Sequence, residues 1–361
     1  MFAFDIKPGE ERVNNVRFGV LGHAHGHINT YCSVMKNFDD VTLVATYDDN
    51  AERGQQQAKN FGLEFRPTPE AVVDDPNIDA VMIGVETNRH AEFVELAARA
   101  GKHILLQKPM ATTLKDCDRI IDVVNQTGIK FSVAFQMRQD PVNCKIKELV
   151  AQNIVGNIAV TRRRHCIPVL LNPSFFNGPT KWHVDPVANV GMFFDDATHA
   201  ADWFYWTFGK PVSVMAEIDN IVTNVAPDDN GVAIYRFQSG MMGILFNGST
   251  TVAGVNTTEI YGDEGTLIQD YGDSPSTSAP RPENAVPLKY IRKGETAWTE
   301  CHMPIPKSQG DRIAAIPRPF INYLRGLSDE RVSAEEGRIS VEMVLGAYQS
   351  AKEGRRITFP I

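Results

Sequence analysis

Strand and helix patterns alternate at short spacing along the first part of the chain. The predicted strands are residues 16–21, 41–47, 79–84, 103–107 and 130–135. The predicted helices between them are residues 26–38, 51–61, 90–100 and 114–126. This alternation is typical of βαβ units and a parallel sheet. We therefore predict an α/β class protein whose first domain, residues 1–136, is a doubly wound Rossmann dinucleotide-binding domain.

Beyond residue 136 the pattern changes to consecutive strands with alternating polarity. They are predicted at residues 157–164, 212–219, 231–238, 241–247, 257–261 and 266–270. A surface loop over residues 271–284 and helices over residues 311–325 and 334–353 follow. Runs of strands after a βα domain indicate an α+β domain with a large, mostly antiparallel open sheet. We assign residues 137–361 to this second domain.

Composition excludes several classes of partner. The 361 residues carry a formal net charge of −8, so we expect no nucleic-acid partner, which would need a clustered basic surface. No apolar run is long enough to span a bilayer, and residues 1–12 lack the basic start and apolar stretch of a signal peptide. The five cysteines are scattered without a C-x-x-C motif. These features favour a reduced, cytoplasmic setting.

One lysine stands at the carboxyl end of a predicted parallel strand, in Gln107-Lys108-Pro109. Pro109 cannot continue a sheet ladder and biases Lys108 toward extended geometry. Ligands of open α/β sheets bind at such strand ends, so Lys108 is a candidate catalytic residue. The alternative is a solvent-exposed lysine without a function.

The segment between the first predicted strand and helix, residues 18–27, partly matches the dinucleotide fingerprint G-x-G-x-x-G. Gly22 supplies the first position, but Ala24 stands in place of the second glycine and His27 in place of the third. A sharp turn there would present backbone N–H groups to a pyrophosphate. The loop therefore predicts a dinucleotide site, although the motif alone is weak evidence.

Asp48 strengthens this prediction because it ends the second predicted strand, where a carboxylate can accept hydrogen bonds from the ribose hydroxyls of NAD. Asp49 follows it, and the nearest arginine is Arg53. A second carboxylate would repel a 2′-phosphate. The sequence thus favours NAD over NADP.

Three histidines in the same loop, His23, His25 and His27, also allow a metal hypothesis. Their spacing is not that of a helical H-x-x-x-H site, and no neighbouring carboxylate or thiolate completes a ligand set. We expect no metal and interpret these histidines as residues that line the cofactor.

A second candidate group lies on a predicted aromatic helix, residues 193–206. Asp195 and His199 are four residues apart, which puts a carboxylate and an imidazole on one helix face. Such a pair suits proton transfer, with Asp202 as a second possible partner for His199. The alternative is an internal polar pair that serves the fold alone.

With these motifs the chain resembles the Gfo/Idh/MocA family of nicotinamide-dependent oxidoreductases, related to glucose-fructose oxidoreductase and inositol dehydrogenase. The family's E-K-P corresponds to Gln107-Lys108-Pro109, and its G-G-x-x-x-D-x-G-x-H to residues 190–199. Residues 86–90 are similar to its P-N-x-x-H, and the likeness extends to residues 156–158 and 332–338. It therefore covers nearly the whole chain.

The resemblance implies a role for each motif residue. Lys108 would bind the reacting hydroxyl and the nicotinamide ribose, His199 would accept the hydroxyl proton, and Asp195 would bind a neighbouring hydroxyl. Together the motifs and the resemblance assign cofactor contacts to Gly22, His23, Ala24, His25, Gly26, His27, Asp48, Val85, Glu86, Thr87, Asn88, His90, Gln107, Lys108 and Gln136. Gln107 departs from the family's glutamate, which changes the surroundings of the lysine.

The implied substrate is a sugar, sugar derivative or cyclitol with adjacent hydroxyls. Trp182 could stack on a pyranose face, although a core role is the commoner one. Arg162 and Arg164 share one face of a predicted strand and could bind an anionic group, or could form a solvated strand face. Substrate contacts are assigned to Lys108, Arg138, Arg164, Trp182, His183, Asp195 and His199, with His165 as a further candidate.

Three functions remain open at this point. The favoured one is an NAD-dependent dehydrogenase that oxidises a secondary hydroxyl by hydride transfer. The second is a redox-neutral enzyme that retains NAD and cleaves a glycoside or acts as a lyase, and the third is a cofactor-sensing binding protein without catalysis. The resemblance also implies a homo-oligomer, a dimer or a tetramer, built through the second domain.

Overall fold

A computed structural model describes residues 15–361, so the amino-terminal segment discussed above as unlike a signal peptide lies outside the described residues. The described part of the chain divides into two compact units. The first unit holds the residues up to Ala134 and Ile313–Arg338, and the second unit holds Phe135–Arg312 and Ile339–Ile361. Residues 313–338, which the sequence pattern assigns to the second domain, thus return to the first unit.

The first unit is built on a parallel sheet. Its strands are β1 (Val16–Leu21), β2 (Val41–Tyr47), β3 (Glu64–Phe65), β4 (Ala80–Ile83), β5 (His103–Leu106) and β6 (Phe131–Val133). They pair in the order β3-β2-β1-β4-β5-β6. From the adjacent strands β1 and β4, the strand order proceeds toward opposite edges of the sheet. Ligands of such sheets bind outside the carboxyl ends of the strands at this switch point.

The second unit contains the other sheet. Its strands are β7 (Ile158–Cys166), β8 (Pro211–Asp219), β9 (Asn230–Phe237), β10 (Met242–Gly248), β11 (Asn256–Gly262), β12 (Gly265–Asp270), β13 (Leu288–Arg292), β14 (Thr299–Cys301) and β15 (Ile357–Thr358). They pair in the order β14-β13-β12-β11-β7-β10-β9-β8-β15. Neighbouring strands are antiparallel except for β7 and β10, which are parallel.

Helices connect and cover both sheets. They are α1 (His27–Met35), α2 (Ala51–Phe61), α3 (Glu70–Val73), α4 (His90–Arg99), α5 (Leu114–Thr127), α6 (Pro141–Ala151), α7 (Pro173–Asn177), α8 (Pro186–Asn189), α9 (Met192–Phe208), α10 (Ser274–Ser278), α11 (Gln309–Ala314), α12 (Pro317–Leu324) and α13 (Ala334–Glu353). Within residues 15–361, no helix combines the length and apolar character needed to cross a bilayer.

The two faces of the second sheet differ in burial. On one face, Leu245 of β10 and Arg163 of β7 are neighbours in register and fully buried, and α9 packs against these strands. On the other face, Met215 of β8 pairs in register with Ile234 of β9, and both side chains are about two-fifths exposed, 41% and 39%. One face is thus covered by a helix, while the other presents apolar side chains.

The predicted fold class is confirmed: the first unit contains a Rossmann-like parallel sheet, and the second unit contains a mostly antiparallel sheet. The single helix predicted over residues 311–325 is wrong, because Pro317 lacks the N–H that a continuous helix needs and begins a new helix, α12, after α11 ends at Ala314. The loop predicted over residues 271–284 contains the short helix α10. Helix α6 and strands β13 and β14 were not predicted.

His90, the first residue of α4, anchors the loop that follows β5. Its Nδ1 lies 2.9 Å from the carbonyl oxygen of Pro109, and its Nε2 lies 3.2 Å from that of Val85. The imidazole is 1% exposed, and burial, opposed by these carbonyls but reinforced by the charge of Lys108, lowers its pKa to about 4. The neutral imidazole carries one N–H, so it donates to one of these carbonyls while its ring fills the space between the ends of β4 and β5.

We predict that this histidine makes the stability of the protein pH-dependent. On unfolding, its pKa returns to about 6.5. As the pH falls below this value, His90 is protonated in the unfolded state before it is protonated in the folded state, which stabilises the unfolded state. Between pH 7.5 and pH 5 the folded state should lose about 2 kcal/mol through His90 alone. Urea unfolding of the wild type and of His90→Gln at both pH values measures this as a smaller pH-dependent loss in the variant. Equal losses in the two proteins would contradict the prediction.

Candidate functional site

The loop between β1 and α1 has the shape of a phosphate-binding turn. Gly22 has a φ of +87°, and a Cβ there would approach the backbone nitrogen of Val85 to 2.9 Å, so only glycine fits. A Cβ at Gly26, immediately before α1, would meet nothing within 4 Å. Gly26 is thus exposed at the start of α1, after β1, which pairs with β4. Backbone N–H groups at such a helix start could hold the pyrophosphate of a dinucleotide.

The three loop histidines are placed differently from one another. The ring of His23 is buried, with Nδ1 2.9 Å from Asn29 Oδ1 and Nε2 2.8 Å from Thr46 Oγ1, and burial lowers its pKa. His25 and His27 contact each other edge to face at 4.3 Å between ring centroids. Among the described residues, no group of three or more His, Cys, Asp or Glu is arranged to hold a metal ion. The ring of His23 is thus buried within the first unit.

Asp48 organises the end of β2. Its carboxylate is buried and accepts hydrogen bonds from the backbone N–H groups of His23 and Asn50, at 2.7 and 2.8 Å. The guanidinium of Arg53 binds both of its oxygens at 2.8 Å. The residue proposed to contact the cofactor ribose is therefore already held in place by a bidentate ion pair.

Asp49 forms a second ion pair beside the first. Arg89 donates to its carboxylate at 2.6 Å, and Arg53 approaches it at 3.4 Å. Burial opposes ionisation of Asp49, but the charges of Arg89 and Arg53 and the hydrogen bonds from its neighbours together outweigh this and keep its pKa below the usual value. Both arginines at this end of the sheet are thus engaged by carboxylates.

Lys108 follows β5 as predicted, and only 3% of its surface is exposed. The lysine is therefore not a solvent-exposed one. Its backbone N–H donates to the side-chain oxygen of Gln107, whose amide nitrogen donates to the hydroxyl of Tyr31. The peptide bond to Pro109 is cis. Gln107 is fully buried and makes neutral hydrogen bonds where the family has an acid.

In the second unit, Asp195 lies in the first turn of α9 and is 3% exposed. Its Oδ2 lies 2.9 Å from Nδ1 of His183, which is also buried. Trp182 stacks on the His183 ring with a centroid distance of 3.7 Å, and the Phe175 ring lies 5.2 Å from the same imidazole. The carboxylate thus has a hydrogen-bonded imidazole partner supplied from outside its own helix.

His199 lies one turn after Asp195 on α9 and is 3% exposed. Its ring is 5.3 Å from that of His165, at the end of β7, and 6.0 Å from that of Phe135. The structure therefore brings three imidazoles and one carboxylate into the same region of the second unit, on α9, on β7 and on the segment before α8.

The arginines assigned to the substrate have internal partners. Arg138 binds Asp202 through two hydrogen bonds of 3.0 and 2.7 Å. Arg164 binds Asp273 at 2.8 and 3.0 Å, and both side chains are buried. Both guanidinium groups are thus buried in ion pairs within the second unit.

Gln136 differs from these arginines. Its side chain is 1% exposed, and neither its amide oxygen nor its amide nitrogen has a hydrogen-bond partner among the residues that the structure describes. A buried amide without partners costs free energy unless a ligand or water satisfies it. This is the chemistry expected of a residue that binds a polar ligand.

Sequence reasoning missed two residues next to α9. Asp228, before β9, accepts a hydrogen bond from the backbone N–H of Phe193, and the hydroxyl of Tyr348, on α13, accepts one from that of Phe194. No helical or strand period links residues so far apart in the chain. The absence of Ser, Thr, Asn or Asp directly before the helix was the one available signal that a cap comes from elsewhere.

The chain was compared with known proteins. Residues 16–135 match a family model described as an oxidoreductase family with an NAD-binding Rossmann fold, and residues 144–268 match the Gfo/Idh/MocA C-terminal domain. Myo-inositol 2-dehydrogenase of Thermotoga maritima is 25% identical over 95% of this chain and 98% of its own. The NADP(+)-dependent scyllo-inositol 2-dehydrogenase IolW of Bacillus subtilis is 23% identical over 97% of each chain.

A similar fold occurs in a solved structure, the WlbA dehydrogenase from Bordetella pertussis in complex with NADH and UDP-GlcNAcA. It superposes with a TM-score of 0.80 over 98% of this chain and 100% of its own, at 22% identity. The two family models together span more than half of the sequence and match both units. The chain therefore belongs to the Gfo/Idh/MocA family of oxidoreductases, with a Rossmann fold of the NAD-binding type.

Proposed function

We propose that this protein is an NAD-dependent dehydrogenase that oxidises a secondary hydroxyl of a sugar, sugar derivative or cyclitol. The observation that carries the proposal is the buried carboxylate of Asp195, hydrogen-bonded to His183 and one helical turn before His199. A carboxylate and imidazoles held together out of water suit the binding of a polyol and the removal of a hydroxyl proton. The full-length similarity to inositol dehydrogenases supports this substrate class.

The cofactor would be held by residues already described. The turn at Gly22 and the open space at Gly26 fit the pyrophosphate, and the unsatisfied amide of Gln136 fits a polar group such as the nicotinamide carboxamide. Asp48 and the segment 85–90 stand at the strand ends that flank this loop. Bound nicotinamide would supply the hydride acceptor.

Side chains of the protein would bind the substrate and remove the proton of its reacting hydroxyl. His199 would accept the proton of the reacting hydroxyl, while the hydrogen on the carbon that bears this hydroxyl leaves as a hydride. Asp195 accepts a hydrogen bond from a neighbouring hydroxyl, and its bond to His183 fixes the carboxylate rotamer. Lys108, whose cation favours the developing negative charge on oxygen, binds the reacting hydroxyl and the nicotinamide ribose.

The substrate class can be tested with a panel of sugars, cyclitols and sugar acids, each incubated with NAD or NADP. The absorbance of reduced nicotinamide reports net oxidation, and we expect at least one polyol to give it with NAD. Glycoside cleavage with exchange of substrate hydrogen into water, but without net NADH, would identify the redox-neutral alternative. Binding of NAD without turnover of any polyol would identify a non-catalytic binding protein.

NAD is favoured over NADP by the ion pairs at the end of β2. A 2′-phosphate would need a free arginine, but Arg53 is held by Asp48 and Arg89 by Asp49. It would also meet the carboxylate of Asp49, which is 41% exposed. These charges support discrimination against NADP.

We also propose a homo-oligomer, formed through the uncovered face of the second sheet. Met215, Val232 and Ile234 each expose about two-fifths of their surface there, between 39% and 41%. Apolar side chains grouped on one sheet face are typical of a protein–protein interface. A second copy of the chain would cover them.

Replacement of the strand-end lysine should abolish most of the activity. Lys108→Ala is expected to lower kcat by about 10²- to 10⁴-fold, the range usual for groups that assist proton transfer, while NAD binding stays measurable. His199→Ala should behave in the same way. Lys102→Ala is the matched control, because Lys102 precedes the same strand and donates to the carbonyls of Asp75 and Ile78. Turnover within about tenfold of wild type in Lys108→Ala would rule out its assigned role.

Removal of one carboxylate should shift cofactor preference. Asp49→Asn releases Arg89 and removes a repulsive charge, so kcat/KM with NADP relative to NAD should rise about tenfold or more, as one new charge-assisted hydrogen bond implies. Asp79→Asn, which breaks an ion pair with Arg17 at the other end of the parallel strands, serves as the control. An unchanged ratio in Asp49→Asn would show that these ion pairs do not set the preference.

A charge on the uncovered sheet face should disrupt assembly. Ile234→Lys is expected to convert the oligomer to monomer, as measured by light scattering after gel filtration. Val222→Lys places the same charge on an exposed residue of the β8–β9 connection, and should leave the mass unchanged. If Ile234→Lys keeps the wild-type mass, the interface lies elsewhere.

A further inference from the structure

Helix α9 carries Asp195 and His199 but has no cap of its own. Its first intrahelical bond runs from the N–H of Asp195 to the carbonyl of Gly191, at 3.1 Å. The N–H groups of Phe193 and Phe194 therefore need partners from other elements, as the first N–H groups of every helix do. Gly191 offers no side chain to supply one.

Two residues from distant parts of the chain supply these partners. Oδ1 of Asp228 accepts from the N–H of Phe193 at 2.6 Å, and the hydroxyl oxygen of Tyr348 accepts from the N–H of Phe194 at 3.0 Å. The Tyr348 hydroxyl in turn donates to Oδ2 of Asp228 at 2.6 Å. One carboxylate and one hydroxyl thus close a connected set of hydrogen bonds over the first turn of α9.

Packing makes this arrangement specific. A Cβ at Gly191 would lie 2.0 Å from Oδ2 of Asp228 and 2.7 Å from the Tyr348 hydroxyl, so no other residue leaves room for the cap. Val190, just before it, has a φ of +64°, a conformation that a β-branched residue adopts only when its surroundings hold it there. The ring of Tyr348 also packs edge to face on Phe193, with 5.9 Å between centroids.

The electrostatics agree with this role. Asp228 is 2% exposed, and its burial raises its pKa, while the hydrogen bonds from Tyr348 and from the N–H groups of Phe193 and Met192 act in the opposite direction. A carboxylate at a helix N-terminus is stabilised by the helix dipole. Burial, and the charge of Asp228, raise the pKa of Tyr348, so its hydroxyl remains a donor.

We propose that Asp228 and Tyr348 are positioning residues, which set the first turn of α9 and thereby the places of Asp195 and His199. The proposal rests on the function proposed above, because it concerns the placement of Asp195 and His199. It assigns no contact with substrate or cofactor to Asp228 or Tyr348. In this role Asp228, in the β8–β9 connection, and Tyr348, on the last helix, affect catalysis without contacting the substrate. Small displacements of catalytic groups have large effects on rate.

The variants Tyr348→Phe and Asp228→Ala test the proposal. Each should lower kcat for the polyol by about ten- to a hundredfold, the effect expected of a misplacement near 1 Å, while the Kd for NAD stays at the wild-type value. Asp228→Asn keeps an oxygen for the Phe193 N–H and should recover most of the lost kcat. Ser350→Ala is the matched control on the same helix, since its hydroxyl bonds Arg355 and Ala216 and not α9.

Hydrogen exchange gives a readout that does not depend on activity. Faster exchange at the amides of Phe193 and Phe194 in Tyr348→Phe, but not in Ser350→Ala, supports the cap. The proposal is overturned if exchange there is unchanged, if kcat is unchanged despite faster exchange, or if Ser350→Ala loses as much kcat at an equal loss of thermal stability. Absence of polyol oxidation by the wild type would instead refute the proposed function. The exchange rates at Phe193 and Phe194 would still test whether Asp228 and Tyr348 cap α9.

Discussion

Buried carboxylates, and the donors that compensate them, fix the geometry of both units. A carboxylate taken out of water is costly unless several hydrogen bonds or an opposite charge accompany it. Asp48 is compensated by two backbone N–H groups and by Arg53, Asp195 by His183, and Asp228 by a helix N-terminus and Tyr348. Each set joins segments that are separate in the sequence, so the end of β2 and the start of α9 are held in place by tertiary contacts.

The regular elements were the most predictable part of the molecule, because hydrophobic period and end signals are local. Strands Val16–Leu21 and Val41–Tyr47 and helices Ala51–Phe61 and Ala334–Glu353 match their predicted bounds residue for residue. Proline caused the error over residues 311–325, where an apolar period continues across a position that cannot donate a hydrogen bond. The return of residues 313–338 to the first unit depends on packing against its apolar core, which no period in the sequence records.

The candidate site was predictable in its residue types and less so in its partners. A spacing of four residues placed Asp195 and His199 on one helix face, and a strand end placed Lys108. The bond from His183 to Asp195 and the engagement of Asp202 by Arg138 arise from tertiary packing. Asp48 shows the same difference: its position at a strand end follows from the sequence, whereas its ion pair with Arg53 depends on where the first turn of α2 lies.

Transfer of hydrogen from a polyol carbon to NAD is the central claim, and an isotope experiment tests it most directly. A substrate that carries deuterium at the oxidised carbon should turn over more slowly than its hydrogen form and deliver the deuterium to reduced nicotinamide, as mass spectrometry of the NADH would record. Glycoside cleavage in which the deuterium returns to the same carbon of the product, with no release of labelled NADH, would contradict a dehydrogenase with net turnover of NAD.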